Sequence, residues 1–423
     1  MKVFIYFTFF LIFHLVGYSQ QYTIYCGKLI HPQSNEVSNE TTIYINNGKI
    51  FGVVKGYKEI KGELINLRDK TVMPGLMDMH IHLHNEMNPL SYSDRIKLNT
   101  EDYAINGVIN AEKTLLAGFT TVRDLRSPKH VSLALRNAIN KEIIPGPRII
   151  AAAGVASTGG HFDPTNGLNK DLMWHPDETH GIADSPEQIH KAIRQAYKDG
   201  YDMIKIAATG GVLSLAKSGQ NPQFTSEEMN EIIKIAEDYG FTTAAHAHGT
   251  EGMKRAVLAG VTSIEHGTFM DKEVIELMIE NGTYYVPTII AGKFVEEMSK
   301  IDGYFPSIVR PKAAAIGPQI HKTFAIAYKS GVKIAFGTDS GVSPHGDNWK
   351  EFIYMTEGGM SLMEAIKSAT VEASKLIKME NQLGTIEKGK IADIIAVDGN
   401  PFDDINAMGN VSFVMKNGLI YKN

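Results

Sequence analysis

The feature that most constrains the fold is an alternation, through the middle of the chain, of short apolar runs with stretches of helical spacing. Eight strand-like runs recur: Met77–His82, Phe119–Asp124, Arg148–Ala153, Asp202–Ala208, Thr242–His246, Thr262–His266, Thr283–Pro287 and Lys333–Thr338. Helical patterns separate them, as in Ser185–Asp199, Ser226–Tyr239 and Asp271–Asn281. A glycine stands before several of the strands (Gly118, Gly200, Gly240, Gly260, Gly331), where a helix would end in a left-handed cap. Eight β-then-α units predict an α/β fold, a (β/α)8 TIM barrel over residues 74–380. Barrels of this kind carry their chemistry at the C-terminal ends of the strands.

The two ends of the chain read differently. From Tyr22 to Thr71 short alternating runs are broken by turns, and Asn47-Gly48 marks a hairpin. Ala392–Asp398 and Val411–Tyr421 repeat that character at the other end. A small β-sandwich domain assembled from residues 20–73 and 381–423 is therefore expected, since chain termini often lie close together.

Ahead of both lies an apolar run, Val3 to Gly17, preceded by Lys2. It is shorter than the roughly 20 residues a membrane span needs and fits the apolar region of a signal peptide over residues 1–19. The expectation is an exported chain, periplasmic or secreted, with no membrane span after cleavage. A formal net charge of −5 gives no basic footprint for nucleic acid. Cys26 is the only cysteine, which excludes an intrachain disulfide and a Cys-rich zinc site. Any metal must sit on His, Asp, Glu or Lys.

Chemistry-bearing residues then fall where a barrel would use them. The first strand runs through Asp78, His80 and His82 with His84 just beyond, and strand alternation puts these four on one face. Two histidines at i and i+2 can both reach one metal ion. Lys205 stands inside the apolar fourth run, the fifth leads into His246 and His248, the sixth ends at His266, and Asp339 follows the eighth. A lysine buried in such a run loses proton affinity. Neutral lysine reacts with carbon dioxide to give a carbamate able to bridge two cations; pairing with Asp202 is the plainer alternative. After the third strand, Ser157–Gly167 is a long Gly-rich loop whose His161 is a candidate for gripping substrate, and Arg123-Asp124 reads as an internal ion pair. Gly210–Pro222 reads as a covering loop.

Pro74-Gly-Leu-Met-Asp-Met-His-Ile-His82, Lys205 in Ile-Lys-Ile, His246 in Ala-His-Ala-His-Gly, His266 in Glu-His-Gly and Asp339 in Gly-Thr-Asp-Ser resemble, in this order, the amidohydrolase superfamily, and within it the prolidase-like and imidazolonepropionase-related branch. The resemblance implies two divalent metal ions, zinc foremost. His80, His82 and Asp339 would hold one, His246 and His266 the other, and Lys205 as N6-carboxylysine would bridge them. It implies hydrolysis of an amide bond in a dipeptide or N-acyl amino acid by a metal-bridging hydroxide, with Asp339 as general base and then acid. His248, on the same face as His246 at i+2, could replace it as ligand, merely hydrogen-bond, or, the preferred reading, touch substrate or support the oxyanion. Hydrolysis of a cyclic amide, imidazolone or lactone, with a single ion, is the alternative. The expected partner is a small-molecule amide; a homo-oligomer stays open.

Overall fold

The structure is a computed structural model that describes residues 21–423. The leader expected at residues 1–19 lies outside the described residues. Among the described residues there are fourteen strands: β1 (Gln21–His31), β2 (Glu36–Asn46), β3 (Lys49–Lys55), β4 (Glu63–Pro74), β5 (Leu76–Ile81), β6 (Phe119–Asp124), β7 (Arg148–Val155), β8 (Met203–Ala207), β9 (Thr242–Ala247), β10 (Ser263–His266), β11 (Tyr284–Val286), β12 (Ile394–Asp398), β13 (Val411–Lys416) and β14 (Leu419–Lys422). They make two seven-stranded sheets, ordered β14-β13-β12-β4-β1-β2-β3 and β11-β10-β9-β8-β7-β6-β5.

The second sheet is all parallel and nearly closes on itself. Its helices form for reasons visible in their ends. In Pro186–Asp199, Ser185 caps the first turn by accepting from Gln188 N, Pro186 takes the position that needs no donor, and Gly200 closes the helix at φ 86°. Ile189, Ala192, Ile193 and Ala196 make the buried stripe, each isoleucine contributing roughly 1.5–3 kcal/mol of apolar burial. Gly75 joins the two sheets: a Cβ there would stand 2.3 Å from Thr120 Oγ1, so only glycine lets β4 pass so close to β6.

Two expectations change. The eighth run, Lys333–Thr338, is not a regular strand. Its backbone bonds to both edges of the parallel sheet, Tyr285 N to Lys333 O and Met79 N to Phe336 O, each near 2.9 Å. However, Phe336 N donates instead to Ser368 O, in a π-helical turn at 368–372, which breaks the ladder. The chain ends form one mixed sheet, not the two sheets of a sandwich. β4 pairs parallel with β1 and antiparallel with β12, stitching both termini into a single layer around Ile24, Ile43, Ile394 and Phe413.

Among the described residues no helix is long and apolar enough to cross a membrane.

Candidate metal centre

All eight candidate residues line one cavity at the C-terminal ends of the parallel strands: His80, His82, His161, Lys205, His246, His248, His266 and Asp339. Apolar side chains, among them Val212, Val295, Ile316 and Ile320, complete its lining.

His80, His82, His246, His248 and His266 are each held through a ring nitrogen, which fixes where the other points. His80 Nδ1 lies 2.8 Å from Glu265 Oε2, and its Nε2 lies 3.3 Å from Lys205 Nζ. His82 Nδ1 is 3.1 Å from Arg126 O, His248 Nδ1 is 2.8 Å from Thr268 Oγ1, and His266 Nδ1 is 2.8 Å from Thr288 Oγ1. His161 stacks on His246 with ring centroids 4.2 Å apart. Gly211 is what admits the His161 ring, since a Cβ there would come within 2.0 Å of it. Asp339 Oδ1 is 3.3 Å from His82 Nε2 and 3.5 Å from His80 Nε2, yet this buried oxygen has no hydrogen-bond partner.

Two sets have ligand atoms within 4.8 Å of one another: His80, His266 and Asp339, and His246, His248 and His266. His266 thus belongs to both halves of the cluster, and His248 groups with His246 and His266. His82 keeps its short approach to Asp339 but groups with His84 and Asp124.

Burial, together with the Lys205 charge, pushes His80 down to about 4 against the pull of Asp339 and Glu265. Burial and neighbouring imidazoles hold His246 and His266 well below the usual histidine value. They are therefore neutral at pH 7, the form that binds metal. Burial lowers Lys205 to about 8, although Glu265 and Asp339 oppose the shift. Burial would raise Asp339, but His80, His82 and Lys205 outweigh it and leave the carboxyl below its ordinary value.

Asp202 does not pair with Lys205; it binds Arg136 Nη1 at 2.7 Å. Arg123 does form a buried ion pair, but with Glu265 at 2.8 Å and not with Asp124. His84 stands beyond the cluster, its ring 5.9 Å from that of His82 and its buried Nδ1 without a partner.

Residues 71–420 match the Amidohydrolase family. The chain belongs to that family. It is similar to the ochratoxinase of Aspergillus niger, 31% identical over 94% of this chain and 86% of the relative. A solved Xaa-Pro dipeptidase with methionine bound in its active site is 54% identical, with a TM-score of 0.93 over 95% of this chain and all of that one. A solved prolidase complexed with N-methylphosphonate-L-proline is 28% identical, with a TM-score of 0.87 over 95% of this chain and all of that one. The protein is a hydrolase of amide bonds.

Three residues of this amidohydrolase's site have no strong signal in sequence. Glu265 orients His80 and offsets Arg123; burial would raise it, but Arg123 and His80 hold it at about 2. Regular alternation would turn Glu265 and His266 to opposite faces, but His266 takes φ 70° and the rule lapses there. Thr288, at φ 52°, and Asp339, at φ 56°, are likewise left-handed. Such strain, about 1–3 kcal/mol per residue, persists only where the surroundings impose it and clusters at functional sites. Glu351, wholly buried, anchors the turn after Thr288 by accepting from Ile289 N and Ile290 N at 2.9 and 2.7 Å.

Proposed function

We propose that this amidohydrolase uses two divalent metal ions, zinc foremost, to cleave the amide bond of a dipeptide or N-acyl amino acid. The observation that carries the reading is the convergence of four oriented imidazoles, a buried lysine and a carboxylate whose Oδ1 has no partner, all on one cavity. The donor set fits cations. His80, His82, His246 and His266 are held by one ring nitrogen each, and His246 by Nε2 to Gly210 O at 3.2 Å. An unpartnered buried carboxylate oxygen is costly unless something positive meets it.

His80, His82 and Asp339 would hold one ion, His246 and His266 the other, and Lys205, as its carbamate, both. When bound, the ions would make water a stronger nucleophile at neutral pH and polarise the scissile carbonyl. Asp339, kept ionised at neutral pH, takes a proton from the attacking water and returns it to the departing amine. His248, neutral and fixed by Thr268, donates toward the carbonyl oxygen as it gains charge, and His161 faces the same cavity from the loop after β7. Val212, Val295, Ile316 and Ile320 form an apolar recess for the acyl side chain. Export of the chain, with residues 1–19 as leader, belongs to the same proposal and rests on the apolar run Val3–Gly17.

The set His246, His248 and His266 alone could hold a single ion, which favours the mononuclear reading on a cyclic amide, imidazolone or lactone. One experiment separates the two. Purified protein loaded with zinc or manganese is screened against dipeptides, N-acyl amino acids and cyclic amides, with metal content measured on the same sample. About two ions per chain and release of a free amino acid are expected. One ion per chain with turnover confined to cyclic substrates would overturn the proposal.

A further inference from the structure

Beside the metal-ligand cavity lies a larger chamber of about 950 Å³. His161, Phe162 and Leu213 line both, so they form the partition between them. Arg126 stands on the chamber side of this partition, two residues after β6.

Several features of Arg126 are unusual together. Its φ is 89°, a left-handed backbone that a long side chain rarely adopts. That backbone turns its carbonyl onto His82 Nδ1, 3.1 Å away, so the residue is tied to a candidate ligand of the site. Its side chain runs over Gly154, where a Cβ would stand 2.7 Å from Arg126 Cδ. The guanidinium lies 4.9 Å from the centre of the Phe162 ring and donates from Nη2 to Phe162 O at 2.7 Å.

What it lacks is an anion. Arg123, Arg136, Arg148, Arg255 and Arg310 all have carboxylate partners; Arg126 forms no ion pair among the described residues. The nearby Asp163 is committed elsewhere, accepting from Gly159 N, Thr165 N and Thr165 Oγ1. Arg95, also on the chamber wall, bonds to Pro164 O and adds a second positive charge. A guanidinium carries five donors in a planar fork that fits a carboxylate bidentately, and most of these are unspent here.

We infer that Arg126 is a specificity-determining residue that clamps the free carboxylate of the leaving amino acid. The inference rests on the amide-hydrolase reading above. It places the acyl side chain in the apolar recess, the scissile bond at the His161–Phe162 partition, and the leaving residue in the larger chamber. In a dipeptide or N-acyl amino acid the amine half carries such a carboxylate, and the chamber's volume sets no tight limit on its side chain.

The test uses one dipeptide found by the screen and the same dipeptide with its C-terminus amidated. Wild type is expected to prefer the free acid in kcat/KM by about 10–100-fold, the range of a hydrogen bond to a charged group. Arg126→Gln should lose that factor on the acid, chiefly through KM, with a much smaller loss on the amide and metal content as in wild type. Arg126→Lys should restore part of it. Should a variant fold poorly, inhibition of wild type by the free leaving amino acid against its amide reads the same clamp. Equal rates on acid and amide with equal inhibition would overturn the clamp alone, as would an Arg126→Gln loss shared by both substrates alongside lost metal. No hydrolysis of any peptide or N-acyl amino acid would overturn the amide reading and this inference with it.

Discussion

The sheet built from the chain ends and the rim of the parallel sheet are buried to a similar degree and for opposite purposes. In the first, Ile24, Ile43, Ile394 and Phe413 have no exposed surface, and β1 pairs with β2 from Gln21 to His31. In the second, Arg123, Lys205 and Glu265 are equally hidden. Three successive functional positions there, His266, Thr288 and Asp339, hold left-handed backbones. Apolar burial stabilises without specifying chemistry; buried charge and strain cost free energy and are kept where a geometry must be fixed. The chain therefore separates the region that supports from the region that reacts, and substitutions should show the separation.

The largest effect is expected at Asp339. Asp339→Asn keeps the size and one oxygen but removes the proton acceptor. kcat/KM should fall about 10²–10⁴-fold, with metal content and thermal midpoint near those of wild type. Loss of metal and activity together would make Asp339 a ligand only and erase its place in the proton path.

Next is Glu265, which touches both His80 and Arg123 but is not among the residues lining the metal-ligand cavity. Glu265→Gln should weaken metal binding about 10–100-fold, the usual consequence of losing a partner that orients a ligand. It should also lower stability, because Arg123 is left as a buried cation without its counter-charge. Metal titration beside chemical denaturation reads both. Unchanged metal affinity would show that His80 is oriented by packing alone.

In the supporting sheet the order of effects should reverse. Phe413→Ala should cost about 3–5 kcal/mol of stability while leaving kcat/KM per folded molecule close to wild type. A comparable loss of turnover would mean that the two regions are mechanically coupled, and the comparison would fail.

The same contrast explains what could be read from the sequence. Strand and helix order was legible because apolar periodicity and glycine caps are local: Phe119–Asp124 is found with the ends expected, and Ser185 and Asp271 cap the helices they precede. The gathering of His80, His82, Lys205, His246, His266 and Asp339 was legible because parallel strands bring their C-terminal ends together. Non-local bonds were not. Whether the chain ends make one sheet or two depends on β4 meeting both β1 and β12, and the eighth run loses its regularity to Ser368, some 30 residues on. Glu265 and Arg126 were missed for the same kind of reason: left-handed backbones at His266 and Arg126 break the alternation from which side-chain direction is inferred.

The smallest effect expected is a pH dependence, and it bears on why Lys205 is a lysine. In the folded protein its ammonium sits near 8, against 10.5 for a free side chain. Between these two values the unfolded chain binds more protons than the folded one, so stability must rise with pH across that window. Below 8 both states are protonated and the cost of burying the cation is fully present. For metal-free protein in CO2-free buffer, wild type should therefore gain stability relative to Lys205→Met from pH 8 to about 10, by up to about 3 kcal/mol. The lowered value also leaves roughly one molecule in ten with a neutral amine at pH 7. That form can react with carbon dioxide, so labelled bicarbonate should mark Lys205 more fully at pH 8.5 than at 6.5 at equal dissolved CO2. A flat difference between wild type and Lys205→Met across the window, together with no uptake of label, would mean that Lys205 remains charged in the core. The carbamate bridge would then have no precursor, and the rim would hold its cations with imidazole and Asp339 alone.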